Sequence, residues 1–276
     1  MVLKSGAFGE AVKSLQRGLN RLGSILLIDG DFGPGTRDAV MDACVSLQRP
    51  GSPDADDAFQ AAVAALPDLF PPLTAAGVTF IAREEVTSAG LYRRLYTRPT
   101  WPGGKSGVTI GIGYDLLFVD ASGLKTDWGD RLSPDAITML AGVAQVQGSR
   151  PLAASVQDVK VPLLDAIAVF VQKSLPRCLD QTRSIYSQID ALPPHRRTAL
   201  ASLVYNRGTS LDVNDPTRRE MREIQRLLAA GQLDAVAEQI DAMVRLWDPV
   251  KQSGLIQRRH REATLWRSGF AALQLD

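Results

Sequence analysis

Cysteine and histidine are nearly missing from this 276-residue chain, which has two of each. Cys44 and Cys178 lie far apart in apolar contexts, so they read as buried free thiols of a reducing compartment and not as a disulfide framework. His195 and His260 stand apart from each other and from both cysteines, which leaves no metal-ligand spacing; no metal and no other cofactor is expected. Net charge is lacking too. With 31 Lys and Arg against 30 Asp and Glu there is no overall field to draw in a polyanion, and no nucleic-acid partner is expected. No apolar run reaches the roughly 18 residues of a membrane span. The opening MVLKSGAFGEAV lacks the apolar stretch of about 7–15 residues that a secretory signal requires. The expectation is a monomer made in the cytoplasm without a signal peptide.

What is present is helical periodicity, punctuated by glycine and proline. Val12, Leu15, Leu19 and Leu22 recur at spacings of three and four, one face of a helix that Gly23 stops. The turn DGDFGPGT follows, and Thr36 is the expected N-cap of a helix carrying Val40 and Cys44 inward. RPGSPDADD at 49–57 has linker composition, then a short helix-like segment runs to Leu66 and PDLFPP breaks the chain again. The domains are therefore expected at 1–50 and 72–276, with 51–71 between them. Helices are expected at about 74–95, 161–190, 194–206, 216–230, 232–247 and 255–272, and one more after the Ser133 N-cap and Pro134. Asp215 and Pro216 repeat that start signal. GVTIGIGYDL alternates Val108, Ile110 and Ile112 with Thr109, Gly111 and Gly113, the period of a short strand. The fold class is mainly α: a small three-helix domain, then an α+β domain with one short hairpin.

LKSGAFGEAVKSLQRGLNRLG followed by DGDFGPGTRDAV resembles the small three-helix peptidoglycan-binding domain attached to many cell-wall hydrolases. The matching positions include Gly9, Val12, Leu15, Gln16, Leu19, Gly30, Phe32, Gly33 and Val40. The leucines and valines are packing residues, so ligand contact falls to the loop surface. Asp29, Asp31 and Arg37 are its candidates, and peptidoglycan is the partner this resemblance implies. Such a module raises the local concentration of whatever it carries on an insoluble polymer.

Three further segments, in order over about residues 78–268, resemble the phage-type lysozymes, the muramidases of endolysins. FIAREEVTSAGLY corresponds to the helix that ends at the family's catalytic Glu. GVTIGIGYDL is close to its Thr-Ile-Gly-x-Gly strand. ALASLVYNRG and LIQRRHREATL are like its small-apolar helix and its terminal Arg-Arg helix. The resemblance implies Glu85, or its neighbour Glu84, as the acid. Adjacent helix positions point about 100° apart, so only one of the two can face the hairpin. It also implies Thr109 as the hydroxyl that holds the attacking water, with Tyr205 and Asn206 on the far wall. Tyr114 and Asp115 follow the strand, Asp115 as a second carboxylate. Trp101, in the inserted TRPTWPGGKSG, is a candidate sugar-stacking ring.

One departure bears on mechanism. The family carries an Asp six residues before the Thr, and here that position is Gly103. Hydrolysis with Glu85, Thr109 and Asp115 remains open, as does lytic transglycosylation, in which a substrate hydroxyl replaces water. A wall-binding protein without catalysis, or an effector used between bacteria, fits the same segments. A pore-forming holin or a secretion machine would deliver either enzyme to the wall. The run RRHR at 258–261 reads as a solvated, salt-bridged face.

Overall fold

The computed structural model describes residues 1–275. It is mainly helical, with one two-stranded antiparallel sheet among the described residues. The first unit holds α1 (Glu10–Asn20), α2 (Pro34–Ser46) and α3 (Asp57–Ala64). Val12, Leu15 and Leu19 of α1 and Val40 and Cys44 of α2 are buried, as their spacing predicts. Two expectations need correction. The N-cap of α2 is Gly33, with Pro34 at the first helical position; Thr36 lies one turn in, buried, its hydroxyl shared with Gln16 and the Asp31 carbonyl. The stretch 51–71, expected to lie between the domains with a short helix-like segment to Leu66, forms that helix as α3 but makes it part of the first unit. Phe59 and Val63, four apart, pack that helix into the same small core, and Leu3 pairs with Ala55 across the start of the unit. Proline, glycine and charge in 49–57 mark a turn between helices, not a tether.

The second unit runs through α4 (Thr74–Val86), α5 (Ala89–Leu95), β1 (Thr109–Ile110), β2 (Tyr114–Asp115), α6 (Ala121–Trp128), α7 (Pro134–Ala141), α8 (Arg150–Ala154) and α9 (Leu163–Val169). It continues with α10 (Leu175–Ile185), α11 (Pro194–Arg207), α12 (Arg219–Ala229), α13 (Val236–Ala242) and α14 (Ser253–Ser268). Its axis is α11, against which α4, α10 and α14 pack. Every residue of α11 from Thr198 to Val204 is buried, so this stretch, built from small and apolar residues, has neighbours on all sides. Small residues let those neighbours come close: a Cβ on Gly77 of α4 would stand 2.4 Å from the Thr198 hydroxyl.

Longer helices read from periodicity are broken where local chemistry demands it. The segment 74–95 splits at Thr87, which takes φ 65°, and the Ser88 hydroxyl then accepts from Leu91 N–H to start α5. The segment 161–190 widens into a π-helical turn at Phe170–Ser174 just before Pro176, whose ring cannot sit in an ordinary helix interior, and it ends at Ile185. Ser133 and Asp215 cap α7 and a 3₁₀ turn at Pro216–Arg218 as expected. The segment 232–247 divides into α13 flanked by 3₁₀ turns.

The two units are in contact. Ile28 N–H donates to the Gln274 carbonyl at 2.7 Å, Arg83 reaches the Ile25 carbonyl, Arg93 pairs with Asp42, and Ile25 is itself buried in the larger core. Gly23 has no room for a side chain: a Cβ there would stand 2.4 Å from Ile167.

Candidate active site

The sequence alternation in GVTIGIGYDL folds back on itself. Thr109 pairs with Asp115 and Ile110 with Tyr114, while Gly111 and Gly113 take φ 58° and 67° at the tip. That left-handed region favours glycine, and so the motif makes a tight hairpin where the expected strand would have run on. Thr100 bridges to Thr109 from the other side. The hairpin, the C-terminal end of α4, the start of α10 and the end of α11 enclose a cleft of about 730 Å³, a volume in the range of small-ligand sites.

Glu85 lines this cleft and Glu84 does not. Glu84 turns to Arg261, which holds both its oxygens at 2.6 and 2.7 Å. Glu85 turns inward. Its Oε1 accepts from Arg258 Nη1 at 2.7 Å, and its Oε2 lies against the hairpin tip, 2.8 Å from where a Gly113 Cβ would sit. Tyr205, part-buried beside them, donates from its hydroxyl to the Ile112 carbonyl at 2.8 Å and so ties α11 to the tip. Burial pushes the Tyr205 phenol well above its usual range, with the Glu85 charge adding to the effect, so it stays a donor.

Arg258 is the residue sequence reasoning placed wrongly. With Arg259 it is buried, on the face of α14 that packs against α11, and only His260 and Arg261 of the RRHR run are exposed. Its Nε donates to Glu262 at 3.1 Å and its Nη2 to the Ser202 carbonyl at 3.0 Å. Burial works against the Arg258 charge, but Glu85 and Glu262 outweigh it and hold the guanidinium above its ordinary pKa. A run of four basic residues gives no sign of which two face inward.

Thr109, Tyr114, Asp115, Tyr205 and Asn206 all line the cleft. Tyr114 contributes little polarity, because its ring is buried edge-on against Trp128 and its hydroxyl donates to Asp127 at 2.7 Å. Asp115 Oδ1 accepts from Gly107 and Leu117 N–H, both at 2.9 Å. Burial pushes the Asp115 carboxyl up from its ordinary range, and those two amides pull it part of the way back. Gly103, at the position of the missing acid, sits at φ 99° with open space around it.

Trp101 does not line the cleft. Its indole N–H donates to the Ser106 carbonyl at 3.2 Å and its ring is wedged against Gly148, so it anchors the inserted loop. Beside Tyr96, Tyr114 and Tyr205, the cleft carries an exposed aromatic ring, Phe118, 82% exposed, which no periodicity could single out.

The loop of the first unit is organised by buried Gln16. Its amide nitrogen donates to Asp29 Oδ1 at 2.7 Å and to the Asp31 carbonyl at 3.1 Å, while its oxygen accepts from Gly30 N–H at 2.9 Å. Asp29, itself exposed, shapes the loop by accepting from Gln16 and from the Asp31 N–H at 2.9 Å. Asp31 and Arg37 are exposed on its surface, Arg37 beside Asp38, and exposed Phe8 bridges to Asp31.

A helical unit with a glycine-tipped hairpin closing a carboxylate-lined cleft, preceded by a three-helix unit with a glycine-rich loop, is the architecture these sites define. Residues 8–43 match the family model described as "Putative peptidoglycan binding domain", which supports a cell-wall-binding module at the N-terminus with peptidoglycan as its binding target. A comparison with curated proteins returned no match.

Proposed function

We propose that the cleft cleaves the glycan strands of peptidoglycan, hydrolysing the bond between N-acetylmuramic acid and N-acetylglucosamine with Glu85 as general acid. The observation that carries this reading is the placement of Glu85, with Oε1 held by Arg258 and Oε2 against the hairpin tip in the cleft. With Oε1 held by Arg258, Oε2 is the oxygen left to carry a proton; that proton passes to the glycosidic oxygen as the bond to the muramic acid C1 breaks, and the departing sugar leaves with a free hydroxyl. Thr109 and Asp115, paired across the hairpin, hold a water whose oxygen bonds to C1 and whose proton passes to Asp115. The upward push that burial gives the Asp115 carboxyl strengthens it as a base. Wall binding by the first unit supports the choice of polymer.

A second reading has an observation in its favour. Asp115 Oδ1 is occupied by two amides, and Gly103 supplies no acid. If no second carboxylate takes a water's proton, Glu85, ionised once it has given its proton to the leaving oxygen, can take the proton of the muramic acid C6 hydroxyl as that oxygen attacks C1, forming an anhydro ring. Purified peptidoglycan treated with the wild type and with Glu85→Gln separates the possibilities. Clearing by the wild type, abolished in the variant, with reducing-end muramic acid in the product mass spectrum, is the expected result. Anhydro ends mean transglycosylation. Clearing that survives in the variant removes Glu85 from the role, and a wild type that binds but never clears is a wall-binding protein without catalysis.

A further inference from the structure

Asp127, in the last turn of α6, is a buried carboxylate that the glycan chemistry does not use. Its side chain is 4% exposed, and its Oδ2 accepts from the Tyr114 hydroxyl at 2.7 Å and from Arg177 Nη2 at 2.8 Å. Arg177 stands in the first turn of α10 and lines the cleft, with 53% of its side chain exposed. Asp127 therefore clamps one corner of a guanidinium whose other side is open to the cleft. Such a clamp holds the planar fork in place before any ligand arrives, so less freedom is lost on binding. Its hydrogen bond with Asp127 raises the Arg177 pKa, so the charge is permanent. Lys105, on the loop before the hairpin, adds a second cation to the same cleft.

A chain of N-acetyl sugars offers a fixed guanidinium only hydroxyls and amides. The strong partner for that fork is a carboxylate, bound through two parallel N–H donors. In peptidoglycan, carboxylates are concentrated on the peptide attached to the lactyl arm of muramic acid. We propose that Arg177 forms a carboxylate-binding subsite for the peptide stem, so that the cleft recognises peptide-bearing glycan rather than the sugar chain alone. The inference rests on the cleft being the glycan site, but its test does not depend on cleavage.

The full chain carrying Glu85→Gln, which keeps the ligand intact, is titrated by calorimetry with a disaccharide–dipeptide bearing free carboxylates and with the same compound amidated. The free acid binds more tightly, and adding Arg177→Gln removes about tenfold of its affinity, the scale of one charged hydrogen-bonded contact, while leaving the amidated ligand unchanged. Arg177→Lys, which keeps the charge and the pair with Asp127, recovers part of the loss, and its melting temperature separates binding from misfolding. Equal affinity for the two ligands, or equal weakening of both by Arg177→Gln, overturns the subsite. So does an Arg177-dependent preference for the lactyl carboxylate of a peptide-free disaccharide that is absent for the dipeptide. If the wild type cuts no glycan and the Arg177-dependent preference persists, the cleavage reading fails and the subsite stands.

Discussion

Arg258 Nη1 lies 2.7 Å from Glu85 Oε1, and the same guanidinium spans inward to Glu262 and Ser202. The cleft acid is therefore the outer end of a buried ionic network. Glu262, fully buried, also takes Arg259 Nη2 at 2.9 Å and the Ser202 hydroxyl at 2.6 Å. Removing the central cation strips Glu85 of its partner and leaves Glu262 paired with Arg259. Arg258→Met is expected to lose about 3–5 kcal/mol of stability, as buried pairs do when one partner is deleted. Chemical denaturation reads this directly, and Glu85→Gln, which keeps a hydrogen-bonding oxygen, should unfold close to the wild type.

Gly113 allows a close approach that no other residue can. At φ 67°, with a Cβ placed 2.8 Å from Glu85 Oε2, Gly113→Ala should displace the carboxylate and cost about 1–2 kcal/mol for the left-handed backbone. Gly103→Ala carries a comparable backbone cost at φ 99° but meets nothing within 4 Å. Turbidity clearing should collapse in the first variant and survive in the second.

Phe118 and Trp101 should show opposite defects. Phe118→Ala removes an exposed ring from the cleft, so the apparent KM for soluble glycan fragments rises while the melting temperature stays put. Trp101→Ala frees the inserted loop from Ser106 and Gly148, and its first symptom is a lower melting temperature.

Asp115 ties stability to pH in a defined sense. Its folded-state pKa is raised by burial, so it favours the folded state when protonated, and that contribution is lost as pH climbs through the folded-state value. Asp115→Asn keeps an oxygen for Gly107 and Leu117 and cannot ionise. The melting temperature of the variant relative to the wild type should therefore increase from pH 3 toward neutrality.

Gln16→Ala should separate binding from cutting. Without its three contacts to the 29–31 loop the module loses its shape, and co-sedimentation with insoluble peptidoglycan should fall while turnover of soluble fragments holds.

Much of this was legible in the sequence where chemistry is local. The Ser133 and Asp215 caps and the α1 stripe are each decided by a few neighbouring residues, whereas Glu85 was indicated only by resemblance. What was hidden depends on packing between distant segments. Arg258 looks solvated until α14 is laid on α11; Phe59 and Val63 look like part of a short helix between domains until α1 supplies their partners. Trp101 and Phe118 exchange roles because which ring faces a cleft is set by the loop's path, and composition records only that a ring is there.

The hydrogen bond from Ile28 to Gln274, with Arg83 reaching Ile25, bears on how an insoluble substrate is worked. A module joined by a slack tether lets its cargo sample every bond within a sphere. Here contacts hold the binding loop and the cleft in one arrangement, so on the proposed cutting reading each landing presents one fixed span of the lattice, and progress along the wall requires letting go. On that reading off-rate, more than grip, sets the pace of cutting, and a tighter anchor would make a slower tool.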